Sequence, residues 1–143
     1  MAIDPGPKDG AYVVWDGQHI LKSDTLPNPE LLEYVVEWGA KVAIEWIVGY
    51  GLTVGSETFD TCRWVGRFEQ AARGATLLTR KEVKQHLCSN TQAKDVHIRQ
   101  ALIDRIGPPG TKKAPGPSYG IVGHEWAALA VAVTWWDKNK EAP

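Results

Sequence analysis

The chain has 143 residues and a formal net charge of −1, with 43% hydrophobic and 23% charged residues. These are the proportions of an ordinary globular chain long enough to bury its own core, and the length points to a single domain over residues 1–143. No apolar run approaches a membrane span, and Asp4, Pro5 and Pro7 interrupt the opening where a secretory signal would be apolar. Cys62 and Cys88, without a CxxC or Cys/His cluster, argue against a disulfide scaffold or zinc finger and fit a cytoplasmic protein with no membrane partner.

Residues 10–16 alternate and are rich in β-formers, which predicts a strand, with residues 19–26 as its hairpin partner across Asp16-Gly17. A helix is predicted within 27–39. Asn28 is its N-cap, Pro29 its first position and Glu30 lies in its first turn; Leu31, Leu32, Val35 and Val36 form the apolar stripe, and Gly39 closes it. Residues 41–48, KVAIEWIV, are almost continuously apolar, the pattern of a strand buried on both faces. A second helix is predicted over 57–73, with Phe59, Cys62, Val65 and Ala72 inward and a polar stripe of Arg63, Arg67 and Gln70.

A short strand at 75–79 follows, then a short helix at 81–87 and a longer one at 94–106 with Ile98, Leu102 and Ile106 inward. Residues 107–120 hold too much Pro and Gly for regular structure. The last helix, 123–136, is apolar all round at AALAVAV and should be well buried. This alternation predicts a mixed α/β domain with a crossover joining the first strand region to 41–48.

Charge is unevenly spread. From Arg63 to Lys113 eleven basic residues face four acidic ones, a net of +7, so the remainder carries −8. Such asymmetry suits one surface to a polyanion, although neighbouring acids could equally balance it.

Glu45 is the most informative single residue. It interrupts an apolar strand, where an ionised carboxylate is costly unless paired or bound to a metal. Asp4 follows a short apolar stretch and precedes the turn former Pro5-Gly6. If 1–3 is a strand beside 41–48, the two acids lie at one end of neighbouring strands about 4.8 Å apart. Carboxylates at that spacing repel unless a hard divalent cation such as Mg²⁺ or Mn²⁺ neutralises them. His124 and Glu125 open the last helix, where a carboxylate complements the helix dipole and a histidine lies at the surface.

IDPG at 3–6, AIE at 43–45 and HEWAALAVA from 124, together with EVKQ at 82–85 and NTQAKDVHIRQAL at 90–102, occur in an order that resembles the RuvC-type Holliday junction resolvases, especially the short phage versions. The resemblance spans nearly the whole chain. It implies an RNase H-like mixed sheet of about five strands in the order 3-2-1-4-5, the second strand antiparallel, flanked by helices. It also implies an endodeoxyribonuclease that resolves four-way or other branched DNA by paired phosphodiester hydrolysis, leaving 5′-phosphates. Such an enzyme uses Mg²⁺, with Mn²⁺ as substitute, and acts as a two-fold homodimer.

Carried onto this sequence, the metal ligands are Asp4, Glu45 and His124, and Glu125 joins them as a candidate catalytic residue. Lys84, Lys94, Lys112 and Lys113, then Arg63 and Arg67, become the DNA contacts. Tyr50, in the loop after the Glu45 strand, becomes a base-stacking residue. One departure stands out. Ala127 occupies the place where the family carries a final aspartate, three residues after His124. That substitution supports an alternative, a catalytically weakened protein that binds branched DNA.

Overall fold

The computed structural model describes residues 1–140. The chain opens with β1 (Ala2–Asp4), β2 (Asp9–Trp15) and β3 (Ile20–Pro27), continues through α1 (Asn28–Trp38), β4 (Ala43–Trp46), α2 (Ser56–Ala71) and β5 (Thr76–Thr79), and ends in α3 (Arg80–Cys88), α4 (Asp95–Ile106) and α5 (Glu125–Asn139). The strands form one sheet in the order β3-β2-β1-β4-β5. β1 and β2 pair antiparallel, as do β2 and β3, whereas β1–β4 and β4–β5 are parallel.

The expected hairpin is present. Asp16 Oδ1 accepts the backbone N–H groups of Gln18 and His19 at 2.8 and 2.6 Å, and Gly17 takes a φ of 102°, a region that costs glycine little. The α1 cap differs from expectation. Pro27 is the N-cap and Asn28 the first helical residue. Asn28 is fully buried because its side chain serves the chain behind it: Nδ2 donates to the Gly6 carbonyl at 2.9 Å. It therefore fixes the turn that follows Asp4.

Side chains alternate across the sheet and build two cores. On one face Ile3, Tyr12, Val14 and Ile44 pack with Leu31, Val35, Val65 and Phe68 of α1 and α2. On the other, Ala2, Ala11, Val13, Ala43 and Leu78 pack against α5, with Val83, Ile98 and Leu102 from α3 and α4. Small residues on both partners, Ala2, Ala11 and Ala43 against Ala128 and Ala130, let α5 lie close on the sheet. That helix is buried from Ala128 to Thr134, as its all-round apolar sequence predicts.

Two further expectations need correction. The buried strand is shorter than 41–48, because only 43–46 pairs and Glu45 to Ile47 are already half-exposed at the sheet's end. Phe59 is exposed rather than inward, since the buried stripe of α2 is Thr61, Val65 and Phe68, rotated around the helix from the one expected. The loop 107–120 contains one isolated bridge, Gly110 to Pro115. It is tightly folded: the Ser118 hydroxyl, fully buried, donates to the Gly107 carbonyl at 2.8 Å. A Cβ on Gly116 would lie 2.0 Å from the Pro108 carbonyl oxygen, so only glycine fits there.

Candidate active site

Strand alternation places the two acids together. Along β1, Ala2 faces α5 and Ile3 faces away, so Asp4 faces α5. Along β4, Ala43 faces α5, Ile44 and Trp46 face away, and Glu45 points to the α5 side. The parallel register pairs Ala2 with Ala43 and Ile3 with Ile44, and its next step sets Asp4 beside Glu45. Asp4 is 8% exposed. Its pKa is pushed up to about 8, first by burial, then by the hydrogen bond to and charge of Glu45, against a smaller opposing pull from Arg80.

His124 joins from the start of α5. Its Nδ1 lies 2.9 Å from Asp4 Oδ2, and the ring is largely in solvent. Asp4, Glu45 and His124 line one cavity of about 460 Å³ with Arg80, Asp95, Arg99, Trp126 and Ala127. A second cavity, of about 550 Å³, meets the first at Asp4 and His124 and runs over the Gly6 turn towards Glu57 and Thr61. Glu125 lines neither cavity; it is buried one position around the helix from His124.

The sequence reading missed Arg80, Asp95 and Arg99 at this site. Thr79 and Glu82 form a capping box: the Thr79 hydroxyl accepts the Glu82 N–H at 3.2 Å, and Glu82 Oε2 accepts the Thr79 N–H at 2.7 Å. This starts α3 at Arg80, directly at the strand's end. Arg80 Nη1 then donates to Glu45 Oε1 at 3.2 Å, while Nη2 pairs with Asp95. Arg99 lies over the Trp126 ring, 4.8 Å from its centroid. The T-x-x-E pattern after a strand signals the helix start at Arg80, not its pairing with Glu45. Asp95 and Arg99 gave no local signal.

The predicted DNA contacts lie outside both cavities. Lys94 is exposed at the N-terminus of α4, and Lys84 is half-buried on α3. Lys112 and Lys113 are exposed at the tip of the bridged loop, where Thr111 and Ala114 exchange backbone hydrogen bonds of 3.1 Å. Arg63 pairs with Asp60 at 3.6 Å, and Arg67 stacks on Trp64. Tyr50 is exposed in the loop after β4, together with Leu52.

No protein-family model matches the sequence, and no curated protein does. Solved structures do match. The Thermus thermophilus RuvC structure covers 95% of this chain and 93% of its own, at 20% identity and a TM-score of 0.64. The T. thermophilus RuvC in complex with Holliday junction substrate covers 92% and 88%, at 20% identity and a TM-score of 0.59. The chain has the RuvC fold. The strand order expected from the motifs is the one observed, and the RuvC fold accounts for nearly the full length.

Within this RuvC-fold chain, Ala127 does face the cavity, so the position three residues after His124 is directed at the site but offers no donor. The oxygen-rich pair Asp4 and Glu45 fits a hard divalent cation, because the two adjoining carboxylates have only the Arg80 guanidinium, which reaches Glu45, as counter-charge. Among the described residues, no three His, Cys, Asp or Glu side chains converge as a ready-formed metal cluster. No described helix is long and apolar enough to cross a membrane.

Proposed function

We propose that the chain is a metal-dependent, structure-selective endonuclease that resolves four-way or other branched DNA. The observation that carries this reading is the meeting of Asp4 and Glu45 on adjacent parallel strands, with His124 hydrogen-bonded to Asp4, at the mouth of a two-part groove. Asp4 and Glu45 would hold Mg²⁺ or Mn²⁺, with His124 as the third ligand. One bound cation would activate the water and the other would stabilise the leaving 3′-oxygen, leaving a 5′-phosphate.

The protein's own groups do the remainder. Where His124 is not a ligand, its largely solvent-exposed ring handles the proton of the attacking water. Glu125 supports the start of α5, where a carboxylate complements the helix dipole. Lys84, Lys94, Lys112 and Lys113, with Arg63 and Arg67, contact phosphates, and Tyr50 stacks on a base. Cutting two strands symmetrically calls for a two-fold homodimer.

The test is nicking of a synthetic four-way junction with Mg²⁺ or Mn²⁺. Asp4→Asn and Glu45→Gln should each lower the rate by about a hundredfold or more, because each removes a charged ligand. A second reading, junction binding without cleavage, is favoured by Ala127 and by the Arg80–Glu45 pair. Tight junction binding with no nicking under either metal would decide for it.

A further inference from the structure

We infer that Arg80 is a built-in counter-cation for Glu45 that competes with a divalent cation for that carboxylate, and that Asp95 is the seat on which the guanidinium stays when Glu45 is given up. The inference rests on the metal-binding reading above.

Placement is the first argument. The β4–β5 register sets Glu45 beside Leu78, and Arg80, which opens α3 directly after β5, reaches Glu45 from there. The Thr79–Glu82 capping box then fixes its backbone. One guanidinium spans two carboxylates, Nη1 towards Glu45 and Nη2 towards Asp95. The cavity's other arginine is held over Trp126.

Charge is the second argument. Arg80 cannot neutralise itself by losing a proton, so it can release Glu45 only by moving. Glu45 is mostly covered, its side chain 14% exposed, and needs a partner; Asp95 is 84% exposed. Arg80 is itself 38% exposed and its outer pair with Asp95 is open to solvent, so the guanidinium can shift without being stranded in the interior. A divalent ion brings twice the charge and direct ligation at about 2.0–2.6 Å. A guanidinium shared between two acids can yield one and keep the other without being stranded.

Mn²⁺ titration of the full chain by calorimetry tests this, with folding of each variant checked by thermal melting. Wild type should bind Mn²⁺ and Glu45→Gln should lose it. Arg80→Ala should bind on the order of tenfold more tightly, since the competing charge is gone. Asp95→Asn should bind more weakly, because Arg80 then rests wholly on Glu45. The double variant should match Arg80→Ala; plain loss of a nearby negative charge would instead weaken it further.

Mn²⁺ binding by Arg80→Ala but not by wild type would also support the inference. Equal or weaker binding by Arg80→Ala, with Glu45→Gln still inactive in binding, overturns it and leaves the metal reading standing. Absence of binding in wild type and Arg80→Ala alike overturns both. Should Arg80→Ala fail to fold, unchanged affinity in the surface variant Asp95→Asn overturns the inference.

Discussion

Asp4 is held in a position that function explains better than stability does. Folding buries it beside a second carboxyl and raises its pKa to about 8. In the unfolded chain the group releases its proton near pH 4. Between those values the folded state binds the additional proton, so this residue's contribution to stability falls as pH rises through the window. Asp4→Asn keeps the hydrogen-bonding shape without the buried charge. It should raise the melting temperature at pH 8 by a few degrees, on the order of 1–2 kcal/mol, while abolishing nicking. Thermal melts of both proteins at pH 5 and pH 8 check the sign, and the gain should shrink at the lower pH. Glu45 was legible as a site residue because a charge inside an apolar run is conspicuous. Arg80 was not, since an arginine after a short strand is ordinary until its neighbour across the sheet is known.

At the scale of elements, α3, α4 and α5 are tied together by one carboxylate. Asp137 on α5 accepts hydrogen bonds from Arg105 of α4, at 2.6 Å for Nη2, and lies 2.8 Å from the His86 ring of α3; Lys140 is 3.5 Å away. The Arg105 guanidinium, then His86 and Lys140, hold the Asp137 carboxyl well below the usual carboxylate range. Its contribution to stability is therefore present at neutral pH and lost as pH falls below about 4. Asp137→Asn should destabilise by about 2–3 kcal/mol at pH 7, measured by urea denaturation, with the difference shrinking in acid. These helices form one wall of the cleft through Arg80, Asp95, Arg99 and Trp126, so the variant should also weaken cleavage near its melting temperature. The apolar periods of α4 and α5 were readable in the sequence. The tie was not, because its members are 51 and 32 residues apart.

For the whole molecule, the uneven charge resolves into two kinds of residue. Arg80, Arg99 and Arg105 are engaged within the fold, and Arg63 and Arg67 lie on the exposed face of α2 against Asp60 and Trp64. Among the described residues, Lys84, Lys94, Lys112 and Lys113 carry no ion pair, and the last two project from a loop that its own hydrogen bonds hold in shape. Lys112→Gln with Lys113→Gln should weaken junction binding and reduce the slope of log affinity against log salt by about 2, roughly one for each lost phosphate contact. A slope unchanged between about 50 and 200 mM salt would remove this loop from the DNA surface.

What the sequence determined by itself was local or periodic. Asp16-Gly17 set the hairpin, the all-round apolar stretch from Ala128 set a buried helix, and acids ending short apolar strands marked the site, because alternation and turn chemistry act over a few residues. The tertiary structure decided which faces met. The rotation of α2 left Phe59 outside, Asn28 turned inward to serve the Gly6 carbonyl, and β5 delivered Arg80 to Glu45. Those outcomes depend on contacts between residues 22 to 35 positions apart or on how a helix settles against its sheet, and packing of the assembled layers fixes them, not any pattern along the chain.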